Sequence, residues 1–297
     1  MKADKRFIGP LLVMLAGVFW GSMGIFVRTM SGWGFSSIQI TAVRLTLASV
    51  FFLILLLLRS PADLQIRLRD IPLFLALGVI SILFFTICYF TAITMLSLST
   101  AAILLYTSPI WVMLMSVAFF HEKFTSRKLL ALAMAFGGCV LVSGLSGGGI
   151  STAGLLFGLG SGIGYALYSI FGTVALRRYS PLTVTTYAFL IAAAGIQFIS
   201  PPAELASLFA AAASPAKAVL FAVVMALFSA VTPYLLYTLG LARVEASKAA
   251  ILATVEPLVA TLVGVLVFSE PLTVSSLIGI LLILAAIVLL NTKSSAS

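Results

Sequence analysis

The run STAAILLYTSPIWVMLMSVAFFHEKFT at residues 99–125 has a second copy in the same chain, SKAAILATVEPLVATLVGVLVFSEPLT at residues 247–273. A shift of 148 positions superimposes them with 11 of 27 residues identical. The matches include Ala101-Ala102-Ile103-Leu104 on Ala249-Ala250-Ile251-Leu252, Pro109 on Pro257, and Glu122 on Glu270. The same shift carries Tyr89 onto Tyr237. A shift of 145 carries Trp20 onto Tyr165 and Ile25-Phe26 onto Ile170-Phe171. Leu and Ala recur everywhere in an apolar chain and match by chance. A proline and a glutamate at equal depth argue for a true internal repeat.

Each copy holds an apolar run near the ~20 residues that a bilayer-spanning helix needs. The whole chain is of this kind. Of its 297 residues 62% are hydrophobic and 8% charged, where soluble domains carry about 25% charge. Apolar runs between polar breaks predict ten helices, at about 8–30, 37–58, 71–92, 98–120, 127–145, 152–173, 182–200, 216–240, 248–268 and 272–291. The fold class is therefore an all-α membrane protein with ten transmembrane helices. No length remains for a soluble catalytic domain or a nucleic-acid-binding module. Lys2, Lys5 and Arg6 precede the first run like the start of a secretory leader, but that run continues to Val27 and reads as the first span. Cys88 and Cys139 fall inside apolar runs and read as small buried hydrophobes, with no disulfide or metal spacing.

The net charge of +9 would suggest nucleic acid in a soluble protein. Here the basic residues sit between spans. With the N-terminus in the cytoplasm, Lys2, Lys5, Arg6, Arg59, Arg67, Arg69, Lys123, Arg127, Lys128, Arg177, Arg178, Arg243, Lys248 and Lys293 fall inside, against Arg28 and Lys217 outside. That bias predicts a multi-pass inner-membrane protein with both termini cytoplasmic. It also divides the chain into a first five-helix unit, residues 1–146, and a second, residues 150–297, joined at Gly147-Gly148-Gly149. Five is odd, so the second unit enters the membrane inverted relative to the first. Inverted repeats are typical of secondary transporters, whose substrate site lies near the midplane between the halves.

Phe19-Trp20-Gly21-Ser22, Arg44, Ala101-Ala102, Ser108-Pro109 and Glu122-Lys123-Phe124-Thr125 stand in the first half. Ala249-Ala250, Glu256-Pro257 and Glu270-Pro271-Leu272-Thr273 echo them in the second. On these residues the chain resembles the EamA-type drug/metabolite transporters over nearly its whole length. The resemblance implies ten helices in two repeats and, as substrate class, amino acids and related metabolites carried outward. Ser108 stands where the second half has Glu256, so the repeats differ at one ionisable position.

Ionisable side chains inside a bilayer cost ~2.5–3.5 kcal/mol each on insertion scales, and only Arg44 and Glu256 lie well within spans. Either they line a polar cavity, Glu256 meeting an amine or a proton and Arg44 a carboxylate, or they neutralise each other as a structural pair. Pro109 and Pro257, placed mid-helix, each remove a donor and free a carbonyl, which suits paired bends around a cavity or a packing kink. Trp20, Tyr165, Tyr89 and Tyr237 sit at repeat-related depths, with Tyr106 opposite the depth of Thr254. Aromatics with polar tips suit an amphipathic substrate, or serve only as packing and belt residues. Tyr168 and Tyr234 are weaker candidates, and Tyr179 reads as a belt residue. Gly154, Gly158 and Gly162 share one helix face and predict close packing. His121 reads as a solvated interfacial histidine.

An intramembrane enzyme and a channel are the rival classes. Gly144-Leu145-Ser146-Gly147-Gly148 fits G-x-S-x-G, but no histidine follows it to activate the serine. Paired intramembrane aspartates and a lysine-bearing phosphate loop are absent too, so neither a catalytic role nor an ATP cofactor is expected. A channel wants a continuous polar lining, and polar residues here are sparse. The expectation is a carrier for a small molecule, an amino acid or metabolite, working by alternating access, with Glu256 able to couple it to protons. Nucleotide sugars or cationic drugs are the alternative cargo.

Overall fold

In the computed structural model residues 5–144 and 151–291 are described. The Gly147–Gly149 joint, most of the G-x-S-x-G string, Lys2 and Lys293 lie outside them. Among the described residues there are helices and turns and no strand, as a chain immersed in lipid requires, because only a helix satisfies its own backbone groups. The ten long helices are α1 (Phe7–Gly32), α2 (Ser37–Arg59), α3 (Leu68–Met95), α4 (Thr100–Phe120), α5 (Ser126–Ser143), α6 (Thr152–Ala175), α7 (Pro181–Ile196), α8 (Pro215–Leu241), α9 (Ala246–Phe268) and α10 (Val274–Asn291). Among the described residues nine of these are long and apolar enough to cross a bilayer by themselves, and α7 is shorter.

Their starts are written in the sequence. Ser36, Ser97, Thr125, Ser151 and Ser180 each accept a hydrogen bond from a backbone N–H of the following first turn, which satisfies a donor that the helix leaves open. One element was not expected. After α7 stops at Ile196, a helix forms at Pro202–Ala211, where the sequence predicts only a Pro-Pro break. Pro202 has no N–H to lose at a helix start, and Glu204 suits its positive end.

The internal repeat extends to backbone detail. α4 and α9 are each two pieces, broken at Tyr106-Thr107 and at Ala253-Thr254. Pro109 and Pro257 are therefore not mid-helix kinks that free carbonyls. They lie in the first turn of the second pieces, Ser108–Phe120 and Val255–Phe268, where a missing N–H costs nothing. Both pieces end at a residue in the left-handed region, His121 at φ 54° and Ser269 at φ 55°. The next N–H, of Glu122 or Glu270, then reaches back to the carbonyl of Ser116 or Gly264. Thr125 and Thr273 cap the helices that follow. A π-helical turn interrupts α3 at Ala76–Leu83 and α8 at Leu227–Val231, with Ser81 and Ser229 at matching places bonding back to their own helix.

Packing follows the same two-fold pattern. α1 lies on α8 as α6 lies on α3, while α2 meets α7, α4 meets α9 and α5 meets α10. Glycines permit the closest approaches. A Cβ on Gly138 would sit 2.7 Å from the carbonyl oxygen of Gly279, and one on Gly279 would sit 2.6 Å from that of Gly138. The face of Gly154, Gly158 and Gly162 packs against Leu96, Leu104 and the backbone of α4, as its four-residue spacing predicts. Gly17, the repeat partner of Gly162, packs on α9 at Ala253 and Val255.

The two ends of the bundle differ. At one, charged groups tie the halves together. Glu122 accepts from Lys128 at 3.2 Å, from the Ala246 N–H at 3.0 Å and from the Ser247 hydroxyl, and Lys128 also pairs with Glu245 at 2.6 Å. Asp70 accepts from Arg178 and from the Tyr179 hydroxyl, both at 2.7 Å. Tyr179 thus ties the two halves together at this end. At the other end Arg28 pairs with Glu270 at 2.5 Å and Gln39 with Glu204. His121 is exposed.

Candidate functional site

Where α1 and α3 of the first half meet α6 and α8 of the second, aromatic rings gather into a box. Trp20 is its centre. Its ring centroid lies 6.1 Å from Tyr165, 5.1 Å from Tyr234 and 5.5 Å from Tyr237, in edge-on or tilted arrangements that suit ring quadrupoles. The repeat partners Trp20 and Tyr165 therefore touch across the seam. Tyr168 closes the box against Tyr234 at 5.3 Å, and Phe85 against Tyr165 at 5.4 Å. Two hydroxyls are spoken for: Tyr237 shares a 2.7 Å hydrogen bond with Ser169, and Tyr168 a 2.9 Å one with Thr238. The hollow among Trp20, Ser81, Ile82, Tyr165, Tyr234 and Tyr237 is about 10 Å³, at the lower limit for one water. The box is closed in this structure.

Glu256 stands beside it. The residue is half-buried in the first turn of the second piece of α9, where the positive end of a helix favours a carboxylate. The Tyr165 hydroxyl donates to it over a long 3.4 Å. Tyr89, Tyr106, Tyr234 and Arg44 are within reach of its charge. Tyr89 joins the box only through Phe85, whose ring it stacks on at 6.2 Å. Thr254 is buried, and its hydroxyl donates to the carbonyl of Ile251 in its own helix at 2.6 Å. Arg44 and Glu256 are not an ion pair: the Arg44 Nη1 contacts the Met23 sulfur at 3.0 Å, and its Nε has no partner.

Of the sequence candidates, the structure gathers Trp20, Tyr165 and Tyr237 into one cluster and sets Glu256 beside it through the Tyr165 hydroxyl, with Pro257 next to it in the same helical turn. Pro109 sits at the repeat-related place in α4. Tyr234 and Tyr168, the weaker candidates, pack into the same cluster of rings. The signal was present, for Tyr165/Tyr168 and Tyr234/Tyr237 are each three apart and so share a helix face. Ser81, Ser169 and Phe85 carried no such signal.

A larger hollow of about 570 Å³ lies elsewhere on the seam, between α2, α7, α8 and the Pro202–Ala211 helix. Its walls are mostly apolar, with Val43, Leu47, Leu190 and Phe209, and its polar edge is Thr46 with Gln197, which donates to the Thr46 hydroxyl at 2.8 Å. Further along the same three helices, the Phe189 ring meets Phe52 at 5.1 Å and Tyr234 at 4.7 Å. An aromatic wall therefore stands between this hollow and the box.

Comparison with known proteins bears on the fold and the family. The chain is 31% identical to an uncharacterized transporter of Archaeoglobus fulgidus over 284 residues, 95% of each chain. It is 26% identical to the uncharacterized inner membrane transporter YicL of Salmonella typhimurium over 96% of each. It is also 26% identical to the pseudopaline exporter CntI of Pseudomonas aeruginosa over 61% of this chain and 60% of that one. A crystal structure of 17% sequence identity shares the fold, with a TM-score of 0.80 over 96% of this chain and 97% of the other. The model of the EamA-like transporter family matches twice, at residues 7–144 and 152–292, and so the chain is a membrane transporter that belongs to the EamA-like transporter family.

Proposed function

We propose that this transporter exports amino acids with apolar or aromatic side chains, or closely related small metabolites, by alternating access at the aromatic box. The box carries the reading. Two helices from each half build it, so any movement of one half against the other must open or close it. Rings with hydroxyl tips offer a large apolar face and a few hydrogen bonds, which is what an amphipathic solute needs. Glu256, one hydrogen bond from Tyr165, takes the ammonium of the cargo or a proton. The 1–146 and 150–297 units act as the two moving bodies. The end rich in Lys and Arg faces the cytoplasm, which puts both termini there. The relative named as a pseudopaline exporter supports efflux of a metabolite.

Uptake into liposomes tests this with labelled aromatic and aliphatic amino acids, a nucleotide sugar and a cationic dye, with and without a pH gradient. The expected outcome is transport of amino acids alone, stimulated by the gradient. Glu256→Gln is expected to abolish the stimulation. Transport of the dye or the nucleotide sugar without amino acids would overturn the substrate class. An unchanged pH response in the Gln variant would remove the coupling role.

Trp20→Ala removes the ring at the centre of the box, so a cargo that stacks on it, at about 0.5–1.5 kcal/mol for one ring contact, should lose roughly two- to twelvefold in apparent affinity. Trp20→Phe keeps a ring in place and should retain most of it. Equal KM values for the two variants would take the substrate out of the box.

A further inference from the structure

Arg44 has no part in the cycle proposed above, yet a charged side chain buried within a span is costly. A guanidinium keeps its charge at every accessible pH and offers five N–H donors with no acceptor. Here it is 6% exposed, one residue among the apolar body of α2. Its Nη1 has the Met23 thioether, a weak acceptor, at 3.0 Å. Its Nε is buried with no partner. Among the described residues no carboxylate lies within ion-pair distance of it. Glu256 and Tyr234 are close enough to feel its charge without bonding to it.

The contrast with other arginines sharpens the point. Arg28 and Arg178, half-exposed at the ends of the bundle, are paired with Glu270 and Asp70. Water and salt would tolerate those two alone. The one arginine inside the span, where an unpaired charge costs most, is left without an anion. A permanent structural charge would have gained a permanent partner.

We infer that Arg44 is the site for an anionic group of the cargo, a carboxylate, which its planar fork can hold through two parallel hydrogen bonds. This rests on the carrier reading and narrows it to molecules bearing that group. The placement fits: α2, which carries Arg44, packs on the π-helical turn of α8 at Leu227–Val231, and Tyr234 just beyond that turn is a wall of the box, 5.1 Å from Trp20. A carboxylate at Arg44 therefore lets the rest of a small solute lie toward the rings, with Glu256 still free for an ammonium or a proton.

Binding to the purified protein in detergent tests it, with 3-phenylpropionate against its neutral amide, and phenylalanine against phenylalaninamide, read by calorimetry and by thermal shift. Wild type is expected to bind each acid about 10- to 100-fold tighter than its amide, the usual range for a hydrogen bond to a charged group. Arg44→Gln should make acid and amide equal, and Arg44→Lys should restore part of the preference. Equal binding of acid and amide by wild type, binding of neither, or an undiminished preference in Arg44→Gln would each overturn the assignment. The wild-type arm decides even if the Gln variant does not fold. Should acids bind in an Arg44-dependent way while no solute crosses liposomes, the carrier reading of the box fails and the anion site stands.

Discussion

Bridging position 122 to position 247 should stop transport. In a protein carrying Glu122→Cys and Ser247→Cys, a short bis-methanethiosulfonate is expected to bring uptake into liposomes down to that of empty vesicles, and a reductant to restore it. The expectation comes from where these residues sit. Glu122 closes α4 in the first half, and its carboxylate accepts from the Ala246 N–H and the Ser247 hydroxyl at the start of α9 in the second. Glu245, at the position just before α9, supplies no side-chain cap of its own, so the carboxylate of the other half fills an opening that every helix start presents. Lys128 then bridges Glu122 to Glu245. A carrier that alternates must part these groups in each cycle, and a covalent link prevents it. The native thiols, Cys88 and Cys139, are both buried and should contribute no background. Each single-cysteine variant treated with the reagent serves as control. Normal transport by the bridged protein would mean that this end never opens.

The second large effect concerns stability. Gly138→Val is expected to destabilise the protein by about 1–3 kcal/mol or more, the usual range for forcing atoms into a filled interior. α5 and α10 cross at Gly138 and Gly279 with their backbones in contact. A Cβ at 138 would meet a carbonyl oxygen at 2.7 Å and the Ile283 N at 3.2 Å. Backbone cannot swing aside as the tip of a long side chain can. The control is next door, since a Cβ on Gly137 would meet nothing within 4 Å. Gly137→Val should melt with wild type, and Gly138→Val well below it, in detergent thermal unfolding. Equal melting of the two variants would show that the α5–α10 contact is loose.

Much of the architecture was legible because the bilayer imposes it. Ten apolar runs, the basic loops and the repeat follow from residue order and need no knowledge of contacts. The repeat even located details the sequence could not describe. Residues 106–109 and 254–257 were matched as strings, and the structure turns both into a helix break with the proline at the start of the next piece. The error over the prolines has a physical origin. A proline in an apolar run reads as a kink until the chain upstream is seen to have ended its helix already, and in lipid that ending depends on which neighbour packs there. The Pro202–Ala211 helix was missed for a similar reason. Its ten residues are too short and too mixed to stand out, and it is held against the bundle by Leu205 and by the Phe209 ring against Phe35.

For the site, the sequence alone determined the cast: which aromatics lie at matching depths, and that Arg44 and Glu256 are charges inside the membrane. Depth along a helix is a property of residue count, so one dimension comes without folding. Which way each side chain faces, and which helix stands opposite, are set by packing between segments far apart in the chain, as with Trp20 and Tyr237, and sequence periodicity is blurred where every face is apolar. Only the tertiary structure decided that Trp20 meets Tyr165 across the seam, that Thr254 turns back on its own helix, that Tyr168 and Tyr234 belong with the rings, and that Arg44 and Glu256 are neighbours that do not pair.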